Sequence, residues 1–383
     1  MEPKDDGTPS IWEVAKSAGV SVATISRVLN GKGPVRADTR ERVLAAIAEM
    51  GYVPHSAARS LSTRRSMSIG VLLPDIYGEF FSELIRGIDQ VAKRTGYHIL
   101  VSGSHSDPTE LQALLHALHG RVDGIVIMAP IAPIAPIAPI APNTASGDEV
   151  PEPIVPKGVP WIALGRGFAG RGMAIQIDNE GGARSVVHHL ADLGHRRIAM
   201  IAGPKENSDA ADRHAGYVRA LSERGIALDP TLVFEGDFRE ESGHRAAHAI
   251  LARQPRPTAI FAANDAMAIG CLAALSEQGL AVPADMALAG FDDIPIARYL
   301  TPQLTSVRVA IAELGSRALE RLLSAIENPN DPEVSRKSAE TIAATLVVRG
   351  STVEAAARSR EDPISTVPRS RPTDSKLLSE TEP

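Results

Sequence analysis

Ile11-Trp12-Glu13-Val14-Ala15-Lys16-Ser17-Ala18-Gly19-Val20-Ser21-Val22-Ala23-Thr24-Ile25-Ser26-Arg27-Val28-Leu29-Asn30-Gly31 spaces its small, apolar and turn-forming residues as a helix-turn-helix does. Ser10 and Glu13 make the Ser-x-x-Glu pattern of a capping box, opening a first helix with Val14, Ala15 and Ala18 inward. Gly19 supplies the positive φ that a tight inter-helix turn needs. Ser21 can cap a second helix whose apolar face is Val22, Ile25, Val28 and Leu29. Ala15 is small where two helices must cross, and Ile25 and Val28 sit where the second packs back on the first. A third helix is predicted over residues 38–50, with Val43, Leu44, Ile47 and Met50 inward and Gly51 ending it. Spacing alone also fits a generic three-helix bundle with surface arginines.

Charge separates the two readings. The chain has 383 residues, enough for two or three domains, and a formal net charge of −6. Residues 10–66 hold nine Lys/Arg against four Asp/Glu, whereas residues 67–383 are net acidic. A basic head on an acidic body suggests a nucleic-acid-binding module, with salt-sensitive affinity through counterion release. In a helix-turn-helix, the start of the second helix meets base edges in the major groove. Its outward face here offers Ser21, Val22, Ala23, Thr24, Arg27 and Asn30. Arg27 can bond guanine O6 and N7 bidentately, and Val22 and Ala23 can touch a thymine methyl. Ser21, Thr24 and Asn30 suit phosphate oxygens.

Composition removes other classes. The single cysteine, Cys271, excludes a disulfide framework and a Cys-rich zinc site. Residues 1–9 are polar, lack the apolar core of a secretory signal, and are expected to be disordered. The apolar stretch 129–142 carries proline at every third position, which forbids a membrane helix. A cytoplasmic protein without a membrane partner is expected.

Beyond Ser66, short apolar runs alternate with helical segments. Strands are predicted at 69–73, 99–102, 124–128, 161–164, 198–201, 259–262 and 288–290. Helices fall at 80–94, 110–119, 182–193, 213–224, 240–251 and 266–278. Near-continuous apolar strands with helical crossovers imply parallel sheets covered on both faces, and there are too many units for one compact sheet. Ligands of such sheets sit at the carboxyl ends of strands.

The run 11–31, followed by Gly51-Tyr52-Val53-Pro54 and Ala58-Arg59-Ser60-Leu61, resembles the headpiece and hinge of the lac repressor/galactose repressor family. The likeness covers about residues 10–350. It implies an α/β chain with a three-helix helix-turn-helix headpiece plus hinge helix (10–66), then a two-lobed type I periplasmic-binding-protein-like body with parallel sheets (67–350). By that likeness one lobe is about 67–164 and 308–336, and the other about 165–307 and 337–350. The hinge match makes His55, Arg59 and Leu61 DNA-contact candidates, with Leu61 wedging into a minor-groove base step. His55 stands where the family often has Asn or Ser. Arg36 stands where it usually has a Ser cap before the third helix.

The same likeness points to an effector cleft. Asp75-Ile76-Tyr77-Gly78-Glu79-Phe80-Phe81 follows the first strand; Phe80 matches a cleft aromatic, whereas Phe81 is expected in the core. Arg184, Arg213, Phe238, Asn264 and Asp292 match further positions, Asp75 and Tyr77 flank the aromatic, and Asn207 lies in a loop that would touch a ring-shaped ligand. Aromatic faces and charged clamps suit a sugar, and a nucleobase is the alternative effector. Asp265 reads more readily as a helix N-cap. The likeness therefore implies a DNA-binding transcriptional regulator, most often a repressor, acting as a homodimer on near-palindromic double-stranded operator DNA. A sugar-binding transport-type module would share the body but not residues 10–61.

Other signals carry less. Gly165–Gly170 fits Gly-x-Gly-x-x-Gly, but the next run, 173–177, reads as a strand where a dinucleotide site needs a helix. His188 and His189 are helical neighbours that point apart, and no acidic ligand set joins them with His195, so no metal is expected. No nucleophile–base pair emerges, so no enzyme and no cofactor are expected. The Ile-Ala-Pro repeat opens a Pro-rich insert at 129–157, read as a tolerated loop expansion or a stiff flap at the cleft mouth. The polar tail 351–383 is expected to be disordered.

Overall fold

The computed structural model describes residues 9–30, 33–52, 65–128, 158–165, 172–329, 331 and 339–353. The hinge residues His55, Arg59 and Leu61, the insert 129–157, residues 166–171 and the tail from 354 onward lie outside these.

The headpiece consists of α1 (Ile11–Ser17), α2 (Val22–Asn30) and α3 (Ala37–Glu49). The capping box forms: Glu13 N donates to Ser10 Oγ at 3.3 Å, and Ser10 N donates to Glu13 Oε2 at 2.7 Å. Gly19 sits at φ 66°. Val14, Ala15, Ala18, Ile25, Val28, Val43, Ala46 and Tyr52 make the small core. Leu44 was expected inside this core, yet it is 47% exposed. The inner stripe of α3 is Val43, Ala46, Ile47 and Met50, spaced i, i+3, i+4, i+7, and Leu44 lies a quarter-turn off it. Arg36 occupies the N-cap position of α3 with no capping hydrogen bond, and pairs instead with exposed Asp38 at 3.5 Å.

Among the described residues, the body forms two six-stranded sheets. The first is built on β1 (Ser68–Leu73), β2 (His98–Gly103), β3 (Gly124–Met128), β4 (Trp161–Leu164) and β5 (Met173–Ile177), in the order β11-β5-β4-β3-β1-β2. Here β11 is Ala339–Ile342, and all five pairings are parallel. The second takes β6 (Ile198–Ile201), β7 (Val233–Phe234), β8 (Ala259–Ala262), β9 (Ala287–Asp292), β10 (Thr305–Arg308) and β12 (Thr345–Val347), in the order β12-β10-β9-β8-β6-β7. Only its β10–β12 pair is antiparallel.

Topology moves the expected lobe limits. β5 and β11 join the first sheet, although 165–307 and 337–350 were expected to form the other lobe. Both are apolar enough for either sheet; their hydrogen-bonding partners decide membership. The chain therefore passes between lobes at Asp178, at residues 309–310 and at residues 343–344, three neighbouring strands of a hinge. Ser351 and Thr352, expected in the loose tail, are buried. Ser351 N donates to Gln303 O at 2.9 Å, and Ser351 Oγ accepts from Thr305 N at 2.8 Å, completing the end of the second sheet.

Helices cover the sheets in close pairs. In the first lobe, α4 (Glu79–Thr95) crosses α10 (Ile311–Glu327), while α5 (Pro108–Leu118) covers the opposite face. In the second, α6 (Asn179–Asp192) crosses α7 (Ser208–Glu223), and α8 (Glu240–Leu251) crosses α9 (Asp265–Glu277). A Cβ on Gly87 of α4 would come within 1.9 Å of Ala312 O, so glycine is what lets these backbones touch.

Candidate effector cleft and DNA-reading helix

The carboxyl ends of both sheets face one interlobe cavity of about 510 Å³, a size suited to a small metabolite. The first lobe supplies Asp75, Tyr77 and Phe80 after β1, and His105 and Ser106 after β2. The second supplies Asn207 and Asp209 after β6, Phe238 after β7, Asn264 after β8 and Asp292 at the end of β9. Arg213 reaches in from α7. Four of these residues, His105, Ser106, Phe238 and Asp292, carry positive φ. Such backbone strain in non-glycine residues concentrates where a site is being shaped.

Arg213 anchors the second-lobe wall and is 4% exposed. Its Nε donates to Asn179 Oδ1 at 2.8 Å and its Nη1 to Ala263 O. Its guanidinium stacks over the Phe291 ring, 3.9 Å from the centroid. Nη2 lies 3.2 Å from Asp292 Oδ1, but the pair is poorly aligned, and that oxygen has no hydrogen-bond donor. Asp209 Oδ1 is likewise buried without a donor. Burial pushes the Asp292 carboxyl up to about 6, with Arg213 opposing the rise and Asp209 adding to it. Burial also raises Asp209, again against the pull of Arg213.

Aromatic faces flank these acids. Phe80 and Phe81 meet edge to face with centroids 5.4 Å apart, and both line the cavity. Phe81, expected in the core, thus serves both environments. Phe238 packs on bare Gly203, where a Cβ would meet its ring at 2.4 Å. Asn264 fixes that loop: its Nδ2 donates to Phe238 O at 2.9 Å, and its Oδ1 accepts from Met267 N as the cap of α9. Asn264, not Asp265, is therefore the N-cap. Asp265 is fully buried and accepts from Ser306 Oγ at 2.6 Å and Ile294 N at 2.9 Å. Asn207 caps α7 by accepting from Ala210 N.

Among the described residues, two hydrogen bonds span the cleft. Arg239 Nη2 donates to Asp75 Oδ2 at 2.7 Å, and Ile296 N donates to Glu79 Oε2 at 2.9 Å. Both are exposed, so they hold the lobes together weakly.

The structure brings Asp75, Tyr77, Phe80, Asn207, Arg213, Phe238, Asn264 and Asp292 to one cavity, but not Arg184. Arg184 points away on α6 and sits 3.8 Å from Glu223 of α7. Asn179, Asp209 and Arg239 escaped notice, because only packing places them beside Arg213 and Asp75. His188 and His189 do diverge, to Glu223 and Thr352 respectively. On α2, Ser21, Ala23 and Arg27 are exposed, while Val22 and Thr24 are half-buried and Val22 also packs on the headpiece core. Ser21 Oγ accepts from Thr24 N at 3.3 Å, as expected of the cap.

Residues 10–55 match the family described as bacterial regulatory proteins, lacI family, and residues 187–352 match a periplasmic binding protein-like domain. The ribose operon repressor of Haemophilus influenzae is 34% identical over 323 residues, spanning 83% of this chain and 92% of that protein. The chain belongs to the LacI family. Its fold matches the lac repressor dimer bound to operator and the anti-inducer ONPF, with TM-score 0.78 and 31% identity over 90% of this chain and 99% of that one. A second match is the regulator CelR in complex with cellobiose, with TM-score 0.64 and 31% identity, covering 90% and 99% of the two chains. This LacI-family protein is thus a DNA-binding transcriptional repressor with a small-molecule effector, not an enzyme. Among its described residues no helix is long and apolar enough to cross a membrane.

Proposed function

We propose that the effector is a sugar or sugar derivative held between the lobes. The observation that carries this is the pair of buried carboxylates beside the faces of Phe80 and Phe238: Asp209 Oδ1 has no donor, and Asp292 Oδ1 has only the ion pair with Arg213 Nη2 at 3.2 Å. An unpaired buried acceptor is costly, and a polyhydroxylated ring supplies both the missing donors and an apolar face. Lobe closure over the ring alters the spacing of two hinges in a cytoplasmic homodimer on a near-palindromic operator, so effector and operator affinities change each other by the same factor. His55, Arg59 and Leu61 contact DNA beside the headpiece. A gel shift on the DNA upstream of its own gene, titrated with sugars and with nucleobases, tests the assignment. A sugar should change retardation; a response to nucleobases alone would overturn it.

The acids also set a pH dependence. The folded carboxyl of Asp292 holds its proton up to about 6, well above its usual value of 3.8. The ionised carboxylate accepts hydrogen bonds from ligand hydroxyls more strongly than the acid does, so effector affinity should be level above about pH 7 and fall as the pH drops through about 6. Stability should move the other way. The folded body binds the proton more tightly than the unfolded chain, so lowering the pH from about 6 to 4 stabilises the empty body through this group. Calorimetric titration at pH 7.5 and 5 checks the first trend; equal affinities would remove Asp292 from the contact set.

Arg27 on α2 reads the operator. Arg27→Ala should cost ~1–3 kcal/mol and relax discrimination at one base pair. Unchanged discrimination between operator and single-base variants in a competition shift would show that Arg27 binds phosphate instead.

A further inference from the structure

On the outer side of the second lobe, α8 and α9 bring together three groups that the effector cleft does not use. His244 and His248 lie one turn apart on α8, and Glu277 ends α9. His244 Nε2 is 2.9 Å from Glu277 Oε2, and His248 Nε2 is 3.8 Å from the same oxygen. All three donor atoms lie within 4.8 Å of one another. In a tetrahedral zinc site with bonds of 2.0–2.1 Å, neighbouring donors stand about 3.3 Å apart. The two measured separations bracket that figure.

We propose that His244, His248 and Glu277 form a binding site for a transition-metal dication of the zinc type. Two neutral imidazoles and one carboxylate suit Zn²⁺, Co²⁺ or Ni²⁺. Mg²⁺ and Ca²⁺ prefer sets of oxygen ligands. Three protein ligands leave a fourth position for water.

The site is preorganised by the helix crossing beneath it. A Cβ on Gly243 would lie 2.0 Å from Met267 O, and one on Gly270 would lie 1.9 Å from Glu240 O. Backbones this close cannot slide, so the spacing of the ligand-bearing faces is fixed before any ion arrives. The His244 and His248 rings already meet edge to face with centroids 4.9 Å apart. The side chains are 36%, 43% and 57% exposed, so an ion reaches them from solvent. A bound ion clamps α8 to α9. Both helices also help line the effector cleft, α8 through Glu240 and α9 through Ala266 and Ile269. The ion therefore stiffens one wall of that cleft.

The test uses the untagged full chain, stripped with a chelator and titrated calorimetrically with ZnCl₂. Wild type should bind one equivalent and unfold at a higher temperature with zinc than with chelator. Co²⁺ in its place should develop the visible absorption of a low-symmetry site. His248→Ala leaves the His244–Glu277 contact intact, so its unfolding in chelator should match wild type. Its zinc affinity should fall by at least about 100-fold, since even outer-shell changes cost 10–100-fold. His244→Gln should lose zinc similarly. Absence of zinc binding by wild type would overturn the site, and so would zinc affinities unchanged in both variants.

Discussion

Arg213→Ala is expected to destabilise the body by about 3–5 kcal/mol and to abolish the effector response. Arg213 is 4% exposed and joins four partners: Asn179, Ala263 O, the Phe291 face and Asp292. Removing it strands a buried carbonyl and amide and leaves Asp292 and Asp209 with no cation nearby. The acids can then protonate, which limits the loss, so the penalty should be smaller at pH 5 than at pH 8. Arg213→Lys restores the charge but not the planar fork, and should recover only part of the stability. Urea unfolding of the three proteins checks this. A loss below about 1 kcal/mol for Arg213→Ala would mean that the guanidinium contributes little beyond covering its neighbours.

Gly87→Ala is expected to cost about 3 kcal/mol, the upper end of overpacking penalties. Its Cβ would stand 1.9 Å from Ala312 O, and both atoms belong to helix backbones that cannot rotate away. The crossing is reciprocal: a Cβ on Gly315 would meet Leu84 O at 2.3 Å. Helices α4 and α10 must therefore separate, which loosens the core that Leu84 and Ile88 share with Leu314 and Ala318. Thermal unfolding should fall by roughly 6–12 °C for a body of this size. Effector and operator contacts are untouched, so binding at low temperature should persist. A melting temperature within a degree of wild type would show that the helices adjust freely.

Much of the molecule was legible from residue spacing. The Ser10–Glu13 capping box, the turn at Gly19 and the return of Ile25 onto α1 are local relations, and each appears as read. Strand cores were legible because buried parallel strands are continuously apolar. Cleft residues followed from resemblance, since they sit at loop positions after successive strands. Two of the errors share a cause: Leu44, placed by its helix, and Arg184, placed by the resemblance, both turn on a helix's rotation, which depends on the neighbour it packs against. Arg184 faces Glu223 because α6 crosses α7 through Gly216, whose Cβ would lie 2.3 Å from Glu180 O.

By itself, the sequence determined the element types and the basic helix-turn-helix head, because these depend on neighbours within about one helical turn or one strand; the number of strand–helix units implied two lobes, and the cleft roster came only with the family resemblance. Only the tertiary structure decided that β5 and β11 belong to the first sheet, because hydrogen bonds to distant strands choose between equally apolar alternatives. It also paired Arg213 with Asp292, left Asp209 Oδ1 without a donor and set His244 and His248 against Glu277. Those chemistries depend on groups tens of residues apart, and no local pattern encodes the distance between them.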